Sequence, residues 1–237
     1  MEKRLERMEK LDKPEEKKTL NIAFEEGARS GKDVIAINNL NLSYSQKEIF
    51  KDLNLNIKYQ DRLCLVGDNG VGKSTLIKEI IKGNNSIKID SNVLIGYVPQ
   101  EITFDNPNNS VLEEARKYFI GTEQYLRSAL FNYLFVGENI YKKIKSLSGG
   151  EKVRLKLFCL TQQSYNFLLL DEPTNHIDID TREMLEEALK EFNGTILFVS
   201  HDRYFINKIA NNIIEIKDHK INKYIGNYDD YKNKITE

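Results

Sequence analysis

The sequence has almost no net charge: 35 lysines and arginines against 36 aspartates and glutamates leave −1. There is no overall basic field. That excludes tight nucleic-acid binding through bulk charge and leaves a local patch as the only route to it. Cysteine is scarce too. Its two copies, Cys64 in an apolar run and Cys159 in a helical stretch, show no metal spacing and read as reduced core residues of a cytosolic protein. Long apolar runs are missing: none approaches the roughly 20 residues that a membrane-spanning helix needs. No signal peptide is visible at the start, so neither membrane insertion nor secretion is expected. What remains is ordinary. A chain of 237 residues, 40% hydrophobic and 30% charged, fits one globular domain plus an extension.

The extension comes first. Residues 1–18 alternate acids and bases, with Met1, Leu5 and Met8 at helical spacing. They predict an exposed, charge-laced linker helix or one strand of a short coiled coil, ended by Pro14. Gly27, Ser30 and Gly31 mark a looser join to the folded domain. From Asp33 onward, Val34, Ile35 and Ile37, then residues 40–45, then Leu53, Leu55 and Ile57 in strict alternation predict antiparallel strands with one solvated face. Tyr44 falls between two of these elements. An aromatic there packs, or offers the flat face on which a nucleotide base stacks.

Residues 62–66 predict a buried strand, followed by Gly67-Asp68-Asn69-Gly70-Val71-Gly72-Lys73-Ser74-Thr75. This is G-x-x-x-x-G-K-[ST] after a strand and before a helical run over 75–82, the context a phosphate-binding loop requires. Glycines let successive N–H groups wrap the phosphates, Lys73 adds a point charge against the β and γ groups, and Ser74 offers an oxygen to Mg²⁺. The next strand, 93–98, ends in Pro99-Gln100. Gln100 is either a loop residue or, at a strand end of the same sheet, an amide oxygen completing the Mg²⁺ shell. Ser110-Val111-Leu112-Glu113 predicts a capped helix. From there to Leu147 the chain is helical and aromatic (Tyr118, Phe119, Tyr125, Phe131, Tyr133, Phe135), the expected core of a small helical lobe.

The stretch 147–178 carries the most information. Ser148 and Glu151 have the S-x-x-E spacing of a capping box, and Val153, Leu157 and Leu160 recur on one helical face. Ser148-Gly149-Gly150 is a loop before a helix, or a helix N-terminus left open as an anion site; the Ser148 hydroxyl can accept for the cap and still donate to a phosphate. Lys152 and Arg154 lie where the helix dipole favours acids, facing either a polyanion or solvent. Residues 167–170 predict a strand buried on both faces that ends in Asp171-Glu172, where ligands of parallel sheets bind. Asp180-Thr181-Arg182-Glu183 predicts the cap of the next helix, which carries Met184, Leu185, Ala188, Leu189 and Phe192 and stops at Asn193-Gly194. Residues 195–199 predict another buried strand, ending in Ser200-His201-Asp202. His201 is structural or, placed as Asp171 is, within reach of a γ-phosphate. Residues 213–216 and 220–225 suggest a hairpin before a polar, tyrosine-rich terminus.

Taken together, these residues resemble an ATP-binding cassette domain. The P-loop 67–75, Gln100 (Q-loop), 147–151 (signature), 167–172 (Walker B), 176–178 (D-loop) and His201 (switch histidine) occur in the family's order. The resemblance implies an α/β fold: a P-loop NTPase core with a mostly parallel sheet, an antiparallel β subdomain and a small helical subdomain over about 101–163. It divides the chain into a linker end at 1–33 and a nucleotide-binding domain at 34–237. It implies a Mg²⁺-dependent ATPase, weak in isolation, in which two cassettes trap two ATPs, each between one P-loop and the other signature. By resemblance Asp171 holds Mg²⁺ through water and Glu172 is the general base, while Ser148, Gly149 and Gly150 face the partner's nucleotide. Residues 171–178 (Asp-Glu-Pro-Thr-Asn-His-Ile-Asp), 200–205 (Ser-His-Asp-Arg-Tyr-Phe) and 226–231 (Gly-Asn-Tyr-Asp-Asp-Tyr) look like the ABC-F group, cytosolic proteins with two cassettes in one chain, many of which act on the ribosome in translation or antibiotic resistance. The chain looks like the second half of such a protein. The alternative, the ATPase subunit of a membrane transporter, is opposed by Asn175-His176 and the charged N-terminal stretch. A binding module without turnover is opposed by the presence of both Glu172 and His201.

Overall fold

The computed structural model describes residues 24, 29–44, 47–175 and 177–236; the expected linker helix over 1–18, Gly27 and His176 lie outside them. The chain runs β1 (Asp33–Tyr44), β2 (Lys47–Lys58), β3 (Arg62–Val66), α1 (Lys73–Lys82), β4 (Ile87–Ile89), β5 (Ile95–Val98), α2 (Val111–Arg116) and α3 (Glu123–Phe131). It continues through α4 (Gly149–Thr161), β6 (Phe167–Asp171), α5 (Ile179–Glu191), β7 (Thr195–Val199), α6 (Arg203–Ile209), β8 (Asn212–Lys217), β9 (Lys220–Ile225) and α7 (Tyr228–Thr236).

Short continuous apolar runs are what a sheet covered on both faces requires. The central sheet has the order β5-β6-β7-β3-β8-β9, parallel except for β9, which returns antiparallel to β8. Alternation along β3 shows how it divides the interior. Leu63 and Leu65 face Leu76, Ile77 and Ile80 of α1 and the second, antiparallel sheet β2-β1-β4. Cys64 faces the other way, into a core shared with Phe158, Leu185 and Phe205. In β2 the alternation holds as expected, with Leu53, Leu55 and Ile57 buried between exposed neighbours. Truncating a fully buried leucine of the central strands, such as Leu169, costs about 2–5 kcal/mol in sites of this kind.

Both capping boxes form. The Glu113 N–H donates to Ser110 Oγ at 3.2 Å and the Ser110 N–H to Glu113 Oε2 at 2.6 Å. The Ser148 and Glu151 pair repeats the arrangement at 3.2 and 2.8 Å. The expected cap of α5 is corrected: it is Asp178, not Asp180, whose Oδ1 accepts from the Thr181 N–H at 2.8 Å. The helix begins two residues earlier than the sequence suggests, and Asp180 then lies inside the first turn, where the dipole favours an acid. At the far end of α5, Arg62 donates to the carbonyls of Leu189, Lys190 and Phe192 at 2.7, 3.1 and 2.7 Å, satisfying orphan groups of a helix C-terminus from a neighbouring strand.

The helical lobe differs in part from expectation. Tyr133 and Phe135 are buried, and Tyr118 and Phe119 are half-buried, but Tyr125 and Phe131 are exposed. Leu126 and Leu130 define the inner face of α3, and each of these two aromatics sits one residue off that face. The C-terminus is a helix as well. Asn227 Oδ1 accepts from the Asp229 and Asp230 N–H groups at 3.0 and 3.1 Å, and Asp229 exchanges hydrogen bonds with Asn207 of α6. Among the described residues no helix is long and apolar enough to cross a membrane.

Candidate functional site

Strand order places the chemistry. At the carboxyl edge of the sheet, Val98 lies beside Leu170 and Asp171 beside Val199, and β3, next to β7, runs into Gly67. The loops after β5, β6, β7 and β3 therefore set Gln100, Asp171-Glu172, Ser200-His201 and the 67–75 loop along one edge, the position where parallel sheets bind ligands.

The loop can be built only from glycine at two points. Gly67 has φ +146° and Gly72 φ +108°. A Cβ at Gly67 would lie 2.5 Å from the Ile216 carbonyl oxygen, and one at Gly72 would lie 2.5 Å from Ile49 Cγ2 and 2.8 Å from Phe50 Cζ. Asp68, Asn69 and Gly70 are exposed, and Val71 and Thr75 half-buried. Lys73 is buried, its Nζ donating to the carbonyls of Gly67 and Asp68 at 2.8 and 2.9 Å. Ser74 Oγ donates to Asp171 Oδ1 at 2.8 Å.

Two carboxylates stand side by side at the end of β6. Asp171 titrates above its ordinary range because burial disfavours its charged form, with the Ser74 hydrogen bond opposing. Burial likewise raises Glu172 against the pull of His201, which makes it a better proton acceptor than an ordinary glutamate. Glu172 has φ +52°, and its N–H donates to Val199 O at 3.0 Å. Its Oε1 lies 3.1 Å from His201 Nε2. Its Oε2 is buried without a partner among the described residues. Thr174 Oγ1 and Ser200 Oγ, 3.2 Å apart, tie the two turns together.

The start of α4 makes contacts of its own. Ser148 and Gly149 are exposed, and Lys142 Nζ donates to Glu151 at 2.9 Å. Gly150 is buried, where a Cβ would meet Asp178 Oδ2 at 2.7 Å. Arg154 faces neither solvent nor polyanion alone: Nη1 donates to Thr181 Oγ1 at 2.8 Å and to Asp178 Oδ2 at 3.3 Å. Among the described residues, the hydrogen bonds and close approaches of 148–150 lead to Glu151, Lys152, Asp178 and Thr181, and none leads to 67–75. Tyr44, at the end of β1, and Gln100, two residues past β5, are both exposed.

These residues fit a nucleotide with a hard divalent ion. The glycine cradle admits close approach of phosphate, Ser74 and Asp171 present adjacent oxygens, and Glu172 Oε2, beside them in the chain, is a buried acceptor without a partner among the described residues. Among the described residues no three His, Cys, Asp or Glu side chains gather to hold a metal. Sequence reasoning missed the seat of Gly150 on Asp178 and a fork of Arg182 onto Asp202. Both pair residues distant in sequence through tertiary contacts that leave no local pattern.

The ABC transporter family profile matches residues 50–175. YdiF of Bacillus subtilis is 43% identical over 242 residues, with 99% of this chain and 38% of that protein covered. ABC transporter F family member 5 of Arabidopsis thaliana is 36% identical, covering 98% of this chain and 35% of that protein. The ribosome protection protein VmlR of Bacillus subtilis is 30% identical, covering 92% and 41%. The chain thus spans about two fifths of the length of these curated relatives. Among solved structures, a bacterial Atm1-family ABC exporter with ATP bound aligns at TM-score 0.72 and 18% identity, over 89% of this chain and 41% of that one. A dimeric ATP-binding cassette bound to ADP and phosphate aligns at 0.66 and 22%, over 81% and 98%. At those identities the likeness is one of fold. A P-loop set against Asp171-Glu172 on this sheet, with relatives of this kind, has one reading: the chain belongs to the ABC transporter family, as an ATP-binding cassette of its F group.

Proposed function

We propose that this cassette hydrolyses ATP with Mg²⁺, paired with a second cassette in a longer protein that acts on the ribosome. One observation carries the hydrolytic reading: Glu172 is buried beside Asp171, its pKa raised by that burial, with one oxygen near His201 and the other without a partner among the described residues. That is the arrangement of a general base poised toward a water. Ser74 and Asp171 would hold the divalent ion with Gln100 nearby, and the ion supplies charge neutralisation at the phosphates. Lys73 and the 67–75 N–H groups bind and orient the nucleotide, with Tyr44 as the stacking face for the base. Glu172 accepts the proton of the attacking water, and His201 steadies Glu172 at its other oxygen.

Pairing is supported by the exposed Ser148 and Gly149, at the start of a helix that contributes nothing to this chain's own loop, and by the dimeric cassette of the same fold. Action on the ribosome is supported by the F-family relatives together with another relative named a ribosome protection protein; cytoplasmic location goes with that reading. The test uses Glu172→Gln in the full-length protein. Turnover should fall roughly 10²–10⁴-fold, while the protein still binds ATP and cosediments with ribosomes in its presence. Wild-type turnover would remove Glu172 from the role of base. Loss of turnover without ATP-dependent cosedimentation would remove the ribosome from the account and leave the ATPase.

A further inference from the structure

Helices α5 and α6 both start at the edge of the site, and one side chain joins them. Arg182, in the first turn of α5, forks onto both oxygens of Asp202: Nη1 to Oδ2 at 2.7 Å and Nη2 to Oδ1 at 3.1 Å. Its Nε donates to Glu186 Oε1 at 3.0 Å. Glu186 is buried, and its other oxygen accepts from Lys208 of α6. Nothing in the hydrolytic chemistry uses these groups directly. Yet Asp202 follows His201 in the chain, caps α6 by accepting the Phe205 N–H at 3.1 Å, and donates its own N–H to Ser200 Oγ at 3.1 Å. A bidentate arginine fixes orientation as well as distance, which a point charge does not. The turn 199–202 is already tied to the Glu172 turn through Val199 O and Ser200. Arg182 is the tie from a third element.

We propose that Arg182 is a positioning residue for ATP hydrolysis: it clamps Asp202, and through it the backbone of His201, where the imidazole meets Glu172. The inference rests on the reading of Glu172 and His201 given above. It predicts an effect on the chemical step with no effect on nucleotide binding, because Arg182 touches none of residues 67–75. It also predicts that the fork, rather than the charge alone, matters.

Four variants test it: Arg182→Met, Arg182→Lys, Lys208→Met and Glu172→Gln. Lys208→Met removes the other cation on Glu186 without touching Asp202, and so reports what loss of the network does to stability alone. Turnover is measured in the full-length protein below every variant's thermal midpoint, and amide exchange and ATP affinity in this chain. For Arg182→Met, kcat should fall about 10- to 100-fold, the scale of a small misplacement of reacting groups, with KM and ATP affinity unchanged. Exchange of the Phe205 amide should quicken without nucleotide, because its acceptor Asp202 is released. Arg182→Lys should recover part of kcat, and Lys208→Met should lower the midpoint and keep kcat. Wild-type kcat in Arg182→Met overturns the proposal, as does an equal loss in Lys208→Met, which would make the network merely structural. Should Arg182→Met not fold, wild-type kcat and Phe205 exchange in Arg182→Lys overturn it. Glu172→Gln separates the two layers. If it retains turnover, the reading of the site fails; if it is inactive while Arg182→Met is fully active, only the role of Arg182 fails.

Discussion

Glu172 holds a backbone conformation that few glutamates adopt, φ +52°. A non-glycine residue in that region costs of order 1–3 kcal/mol and persists where surroundings over-determine it. Here the Glu172 N–H is taken by Val199 O and the carboxylate by His201, so the strain aims the side chain at the site. The cysteines show the opposite case. Burial pushes Cys159 up to about 12 and Cys64 higher still, which leaves both thiols protonated and inert, as core residues are. Two loop glycines separate backbone strain from crowding. At Gly70, φ is +80° and an added Cβ meets nothing within 4 Å, whereas at Gly72 it meets Ile49 and Phe50. Gly70→Ala should therefore cost only the left-handed penalty of about 1–2 kcal/mol, and Gly72→Ala more than that, with weakened ATP binding. Urea unfolding of the two variants checks this. Equal losses would mean that packing against β2 does not set the loop.

At the scale of elements, the first turn of α5 is where three parts meet. Asp178 and Thr181 take Arg154 from α4, Gly150 seats on Asp178, and Arg182 reaches the turn before α6. Burial alone would raise the Asp178 carboxyl, but the Thr181 N–H and hydroxyl and the Arg154 charge outweigh it and hold the group below the usual aspartate range. An acid with a lowered folded pKa gives stability that is present above its unfolded value, near 3.9, and lost as the pH falls through its folded value. Asp178→Asn keeps the cap and drops the charge. Its deficit should be small, on the order of the 0.2–1 kcal/mol of half-exposed pairs, full at pH 7 and shrinking below about pH 4. A deficit that does not change with pH, in thermal scans of both chains, would show that the charge contributes nothing.

Much of this was legible in the residues. Apolar runs ending in Asp171, His201 and Gly67 placed the sheet and its active edge, because a doubly covered strand has no other way to be written. The boxes at Ser110 and Ser148 marked their helices because both partners lie within one turn. What stayed hidden depended on register or on distance. Asp178 and Asp180 are equivalent as caps until the helix start is fixed. The outward face of Tyr125 follows only once Leu126 and Leu130 are seen to point inward. Helix α7 follows from Asn227 docking beside Asn207 of α6, and Arg62 caps a helix 127 residues away.

On the scale of the whole molecule, this cassette's groups divide, under the proposed function, between two nucleotides. Residues 67–75, Gln100, Asp171 and Glu172 share one edge of the sheet and, under the proposed function, serve an ATP bound there. Ser148 and Gly149 are exposed and, under the same proposal, serve the nucleotide of a partner cassette. Calorimetric titration of Mg-ATP into this chain tests that division directly, using Lys73→Ala and Ser148→Arg. Lys73→Ala removes a charge-assisted contact to phosphate, worth about 1.5–3 kcal/mol, and should weaken binding by roughly that amount. Ser148→Arg removes no contact to the chain's own nucleotide, and its affinity should match wild type, although the variant should fail to complete a partner's site. If Ser148→Arg weakens ATP binding as much as Lys73→Ala does, the signature serves the chain's own nucleotide and the paired-cassette account is wrong.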